Sequence, residues 1–141
     1  MSKYIIEKII MQDEISEEGG ALIRNHLSKK LIVYFVSPQE TLENNDEKIE
    51  DFSDGDIAIK WVTKHQKTNK SLRHKQPKKS GYTEIVVEVA EIVDKYSLYT
   101  FTSIIEEKML IEFEHKVDFN IGDRIFLEEN LAIYSAEYLY I

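Results

Sequence analysis

The stretch that decides the fold is residues 84–94, Glu-Ile-Val-Val-Glu-Val-Ala-Glu-Ile-Val-Asp. Ile85, Val87 and Val89 fall on one parity, and Val86, Glu88 and Ala90 on the other. Side chains of a strand point alternately to opposite faces, and β-branched residues suit that pleated surface, so the stretch predicts a strand with one apolar face.

The same pattern continues downstream. Residues 97–105 and 108–117 predict two further strands, the second with Met109, Ile111 and Phe113 set against Leu110, Glu112 and Glu114. Asn120-Ile121-Gly122-Asp123 predicts a turn, followed by strands at 124–128 and 131–140. Short strands at such spacing predict a small barrel or sandwich. In outline, residues 84–140 look like an OB-type barrel, with Phe119-x-x-Gly122-Asp123-Arg124-Ile125-Phe126-Leu127-Glu128 as the entry to its fourth strand. That resemblance is one of architecture and implies no function.

Upstream the reading is mixed. Residues 4–11, rich in isoleucine, favour a strand, and Leu31–Val36 reads as a buried one. Between them, Leu22, Ile23, His26 and Leu27 share one helical face, so a helix is expected over 17–30 with Glu17 and Glu18 in its first turn. Residues 38–54 read as a polar, acidic loop and 57–63 as a strand. Asp51-Phe52-x-x-Gly55-Asp56 echoes Asp118-Phe119-x-x-Gly122-Asp123. Two similar turns explain the echo more simply than a duplication, because the intervening lengths do not match.

Charge is the most uneven property of the chain. Its 141 residues carry a net charge of −8, yet residues 57–83 hold 8 basic and no acidic groups between flanks of −7 and −9. Gln66–Ser80 offers only Leu72 for burial, so a long basic loop or hairpin tip is expected there. Lys60, Lys64, Lys67, Lys70, Arg73, Lys75, Lys78 and Lys79 can each neutralise a phosphate, and Trp61 at the root can stack on a base. Lysine outnumbers arginine, which favours backbone attraction over base reading. The competing readings are a tether that docks on an acidic surface, this protein's own included, and a solvated loop. Trp61 reads more readily as a core or capping residue than as a stacking one, and the aromatic residues beyond 82 read as core.

Other chemistries find no footing in the sequence. The chain has no cysteine, which excludes disulfides and thiolate sites and suits a reducing compartment. His26, His65, His74 and His115 lack metal-ligand spacing, and Gly19-Gly20 lacks the lysine of a phosphate loop. No nucleophile elbow is visible, although a site assembled only in three dimensions leaves no such trace. Leu131–Ile141 reads either as a buried strand or as an edge that pairs with a second subunit.

The expected fold class is α+β, mostly β: a small OB-like or related antiparallel barrel with one N-terminal helix and a long basic loop. Residues 1–141 are expected to form one domain, with 64–81 as the basic loop and 84–140 as the strand-rich, barrel-like portion. The expected function is a non-enzymatic binding module that contacts a nucleic-acid backbone through Lys60, Trp61, Lys64, Lys67, Lys70, Arg73, Lys75, Lys78 and Lys79. The alternative is a protein-interaction or assembly component, such as an adaptor, ring subunit or immunity-type inhibitor, which uses acidic faces, the basic loop as docking arm and the apolar C-terminal strand. No metal, cofactor or membrane partner is expected, and a cytoplasmic location is the default.

Overall fold

A computed structural model describes residues 4–12, 19–25, 30–36, 56–78 and 80–134. Among them are eleven strands and no helix. In chain order these are β1 (Tyr4–Gln12), β2 (Gly19–Asn25), β3 (Lys30–Val36), β4 (Asp56–Val62), β5 (Lys64–Thr68) and β6 (Arg73–Lys75). They continue with β7 (Tyr82–Ile92), β8 (Ser97–Phe101), β9 (Met109–Phe113), β10 (Arg124–Asn130) and β11 (Ala132–Tyr134). The chain separates into two compact units. The first comprises Met1–Ile57, Lys79–Gly81 and Leu131–Ile141, and the second Ala58–Lys78 and Tyr82–Asn130.

In the first unit, β2 lies between β1 and β3, antiparallel to both, and β11 adds parallel to β3. The expected helix over 17–30 is therefore corrected, because, of its described residues, 19–25 are strand β2 and Lys30 begins β3. Gly19 and Gly20 are poor helix formers, and Leu22, Ile23 and Arg24 alternate half-buried, buried, half-buried, which is the period of a strand. Pairing on both sides outweighs the weak helical pattern of a seven-residue segment. Ile23, Leu31, Val33, Leu131 and Ile133 are buried here. Glu7 of β1 reaches Arg24 of β2 at 3.1 Å and Lys30 of β3 at 3.7 Å. His26 and the acidic stretch 38–54 lie outside the described residues, as does the first copy of the Asp-Phe-x-x-Gly echo apart from Asp56.

Gly81 closes this unit. Its carbonyl accepts the Leu131 N–H at 2.8 Å, and the Leu131 carbonyl accepts the Tyr34 N–H at 3.0 Å. A β-carbon at position 81 would lie 2.7 Å from the Tyr34 ring and 2.9 Å from the Leu131 carbonyl oxygen, so no other residue fits without movement.

The second unit has the strand order β4-β9-β8-β7-β10-β5, with β6 also on β7. Neighbours are antiparallel except β4 and β9, which are parallel. The expected antiparallel barrel is corrected on two counts: the sheet pairing is mixed, and it does not close. Its two end strands, β4 and β5, follow one another through Thr63 and share no ladder among the described residues. The decisive stretch 84–94 forms most of β7, with Ile85, Val86, Val87 and Val89 buried. Val86 is buried despite its parity because Arg73 of β6 and Phe126 of β10 flank it in register.

The long basic loop is also corrected. Lys64–Thr68 and Arg73–Lys75 are strands β5 and β6, laid against β10 and β7. Backbone pairing holds β5, and Lys64, His65, Gln66 and Lys67 stay exposed, so no apolar alternation marks it in the sequence. No helix among the described residues is long and apolar enough to cross a membrane.

Candidate interaction surface

β4 and β5 are one run of chain that changes partner. Ile59 lies opposite Ile111 and Val62 opposite Phe113, so three steps along β4 match two along β9. The extra residue is a bulge at Lys60-Trp61, and Trp61 has a φ of 61°. For an L-residue with a large side chain that left-handed backbone is strained. It turns the indole outward, to 67% exposure. Pairing with β9 resumes at Val62 and stops there, and the chain runs on through Thr63 to β10.

Several backbone hydrogen bonds gather the neighbouring connections at the same end of this unit. Glu114 N–H donates to the Val62 carbonyl at 3.0 Å, Phe113 N–H to Tyr96 at 2.8 Å, and Val117 N–H to Lys95 at 2.8 Å. Gly122 N–H donates to Val89 at 2.8 Å, with a φ of 91° that only glycine adopts without strain. Ile92, Val93, Tyr96 and Ile121, in or next to these connections, are all exposed, so this end carries apolar side chains in water.

Several of the described basic residues of 60–78 meet carboxylates of the same unit. Lys60, half-buried, reaches Glu112 at 3.7 Å, Lys67 reaches Asp123 at 3.2 Å, and Lys75 reaches Glu84 at 3.2 Å. Lys64 lies opposite Glu128 in the ladder. Lys70, Arg73 and Lys78 make no ion pair among the described residues, although Lys70 accepts the Arg124 guanidinium at its carbonyl (3.1 Å) and Lys78 lies 5.5 Å from the centre of the Tyr82 ring. Lys79 lies outside the described residues. The acidic partners, Glu84, Glu112 and Asp123, stand at polar positions of alternating strands or in a turn, and the sequence gives no sign that they meet these lysines.

The ladder arranges these charges in rows. Lys75, Glu84, Glu128 and Lys64 run across β6, β7, β10 and β5; Arg73, Val86, Phe126 and Gln66 form the next row. Arg124 pairs with Glu88 at 3.2 Å. The Tyr82 hydroxyl donates to Glu128 at 2.5 Å, and that bond, reinforced by burial and the charges of Glu128, Glu84 and Glu129, pushes the phenol up to about 12. The His74 ring meets the Ser103 hydroxyl at 2.7 Å and Gln76 donates to buried Thr83 at 3.1 Å, fixing β6 and its exit.

On the opposite parity of β5, His65 packs edge-on against Phe113 (5.1 Å between ring centres) and Phe119 (5.7 Å). Burial, and then the nearby His115, lower its pKa. Asp123 is also lowered, chiefly by the Asn120 N–H that donates to it at 2.8 Å and further by Lys67. No group of three or more His, Asp or Glu side chains among the described residues is placed to hold a metal ion. No family model, curated protein or solved structure matches the chain.

Proposed function

We propose that the protein is a non-enzymatic binding module whose partner is another protein, docked at Trp61 and the exposed apolar end of the second unit. The observation that carries this reading is Trp61 itself. Its left-handed backbone costs about 1–2 kcal/mol, and its ring is left in water where burial would stabilise. A bulge that spends stability to turn an aromatic outward fits a residue kept for a partner. The charge pattern points the same way, because three of the seven described candidate cations are engaged by the protein's own carboxylates.

The test compares Trp61→Gly with the triple variant Lys70→Gln/Arg73→Gln/Lys78→Gln in nuclease-treated affinity capture. A protein retained by the native chain and the triple variant, but lost with Trp61→Gly, is the expected result. Retention by all three chains would overturn the assignment to Trp61.

The second reading is contact with a nucleic-acid backbone. It is favoured by Lys64, Lys70, Arg73 and Lys78, which make no ion pair among the described residues. Four phosphate contacts would give a slope of log affinity against log salt of roughly −3 to −4 for duplex DNA. A slope near zero would remove this reading.

A further inference from the structure

Among the described residues, β5 is the last strand of its sheet. β5 pairs with β10 on one side, shares no ladder on the other among the described residues, and has Lys64, His65, Gln66 and Lys67 exposed. Its pairing with β10 is regular from Lys64 to Thr68, so no bulge twists the edge away, and it contains no proline. Unpaired N–H and C=O groups on such an edge are a template for another strand. We propose that this edge takes up an extended acidic peptide of the partner protein as an added strand. The proposal rests on the protein-binding reading above and names the chemistry of what is bound.

Charge selects the occupant. Strands in a sheet lie about 4.8 Å apart, so an added strand sits one spacing from Lys64 and Lys67 but about 10 Å from β10, with Glu128. Screening at physiological salt acts over about 8 Å, which leaves Lys64, with no ion pair among the described residues, dominant, while Lys67 exchanges Asp123, at 3.2 Å, for a carboxylate of the peptide. The same lysines disfavour pairing between two copies of β5, because like charges would meet across the ladder.

The spacing sets a register. Lys64 and Lys67 are three residues apart and fall on opposite faces of the strand. A peptide with acidic residues at positions i and i+3 places one carboxylate opposite each lysine, whichever direction it runs. Spacings of two or four satisfy only one lysine. Trp61 precedes Lys64 by three residues and its ring is exposed, so an apolar residue at the peptide's end is the one to reach it.

The experiment titrates the full chain with the capped hexapeptide Val-Glu-Val-Thr-Glu-Thr, following amide exchange by NMR and the emission of the single tryptophan. The expected result is exchange slowed about tenfold or more at amides within Lys64–Thr68 and a blue shift from Trp61. Lys64→Gln/Lys67→Gln should weaken binding about tenfold. The same peptide N-methylated at every backbone nitrogen should not bind. If the N-methylated peptide binds as tightly, strand addition is overturned while a protein-binding role survives. Equal binding of a peptide with glutamates at i and i+2 overturns the register. If oligouridylate protects the same amides and the peptide does not, the proposal and the protein-binding reading fail together.

Discussion

At the residue scale, two glycines and one tryptophan occupy positions whose reasons differ. Gly122 has a φ of 91° with nothing near its missing β-carbon, so Gly122→Ala should cost about 1 kcal/mol from backbone strain alone. Gly81 is limited by space, so Gly81→Ala should cost about 1–3 kcal/mol as Tyr34 and the Leu131 carbonyl are displaced. Trp61→Gly should instead leave the urea midpoint unchanged or raise it, since glycine accepts the φ of 61° freely. Urea denaturation of the three variants checks the ordering. His65 adds a pH signature. Its pKa is lowered from 6.5, so the folded state binds fewer protons than the unfolded chain between the two values. Its contribution is fully present above 6.5 and is lost as pH falls through the folded value. His65→Gln should flatten the stability profile across that window, read from midpoints at pH 7.5 and below 6.

At the element scale, the strands legible in the sequence are those that bury one parity. β7 and β9 bury alternate residues, Ile85, Val87 and Val89 in one and Met109, Ile111 and Phe113 in the other, and β3 stands out as an unbroken apolar run from Leu31 to Val36. β5 was not legible, because it is held through its backbone and its polar Lys64, His65, Gln66 and Lys67 stay exposed, leaving no apolar alternation. β2 was misread because three apolar residues in seven fit either period, and only its two neighbours decide between them. The ladder between β7 and β10 carries its own test. Tyr82, raised from 10.0 to about 12 by Glu128, stays protonated where an ordinary phenol ionises. A raised pKa gives stability that is present below 10 and lost as pH rises toward 12. Ultraviolet titration should show one tyrosine ionising late, and Glu128→Gln should bring it back toward 10. Within the core, the Thr100 hydroxyl donates to the Met109 carbonyl at 2.9 Å, joining β8 to β9. Thr100→Val should cost about 1 kcal/mol by thermal melting.

At the scale of the whole molecule, the sequence showed where positive charge is concentrated but not what it faces. An acid-free segment between acid-rich flanks suggests a charged projection, and the fold instead lays much of it against Glu84, Glu112 and Asp123. Such pairings join residues far apart in the chain, and neither composition nor period encodes them. The outward turn of Trp61 was equally hidden, since only the bulge against β9 reveals it. Because Lys67 and Lys75 keep their side chains largely in water, the pairs with Asp123 and Glu84 each contribute less than about 1 kcal/mol. Their joint effect is on the field outside, so Glu84→Gln/Asp123→Asn should leave the fold intact and raise affinity for heparin, measured by the salt needed to elute it from a column. The run from β4 into β5 carries one more consequence, which concerns time. β7, β8 and β9 meet through short connections, whereas β4 waits for Leu110 to reach Ala58 and β5 for Leu127 to reach His65. Distant pairings of this kind form slowly, so the meander is the natural nucleus and the β4–β5 run docks after it. Thr100→Val should then slow refolding, while Lys67→Gly, in late-joining β5, should chiefly quicken unfolding.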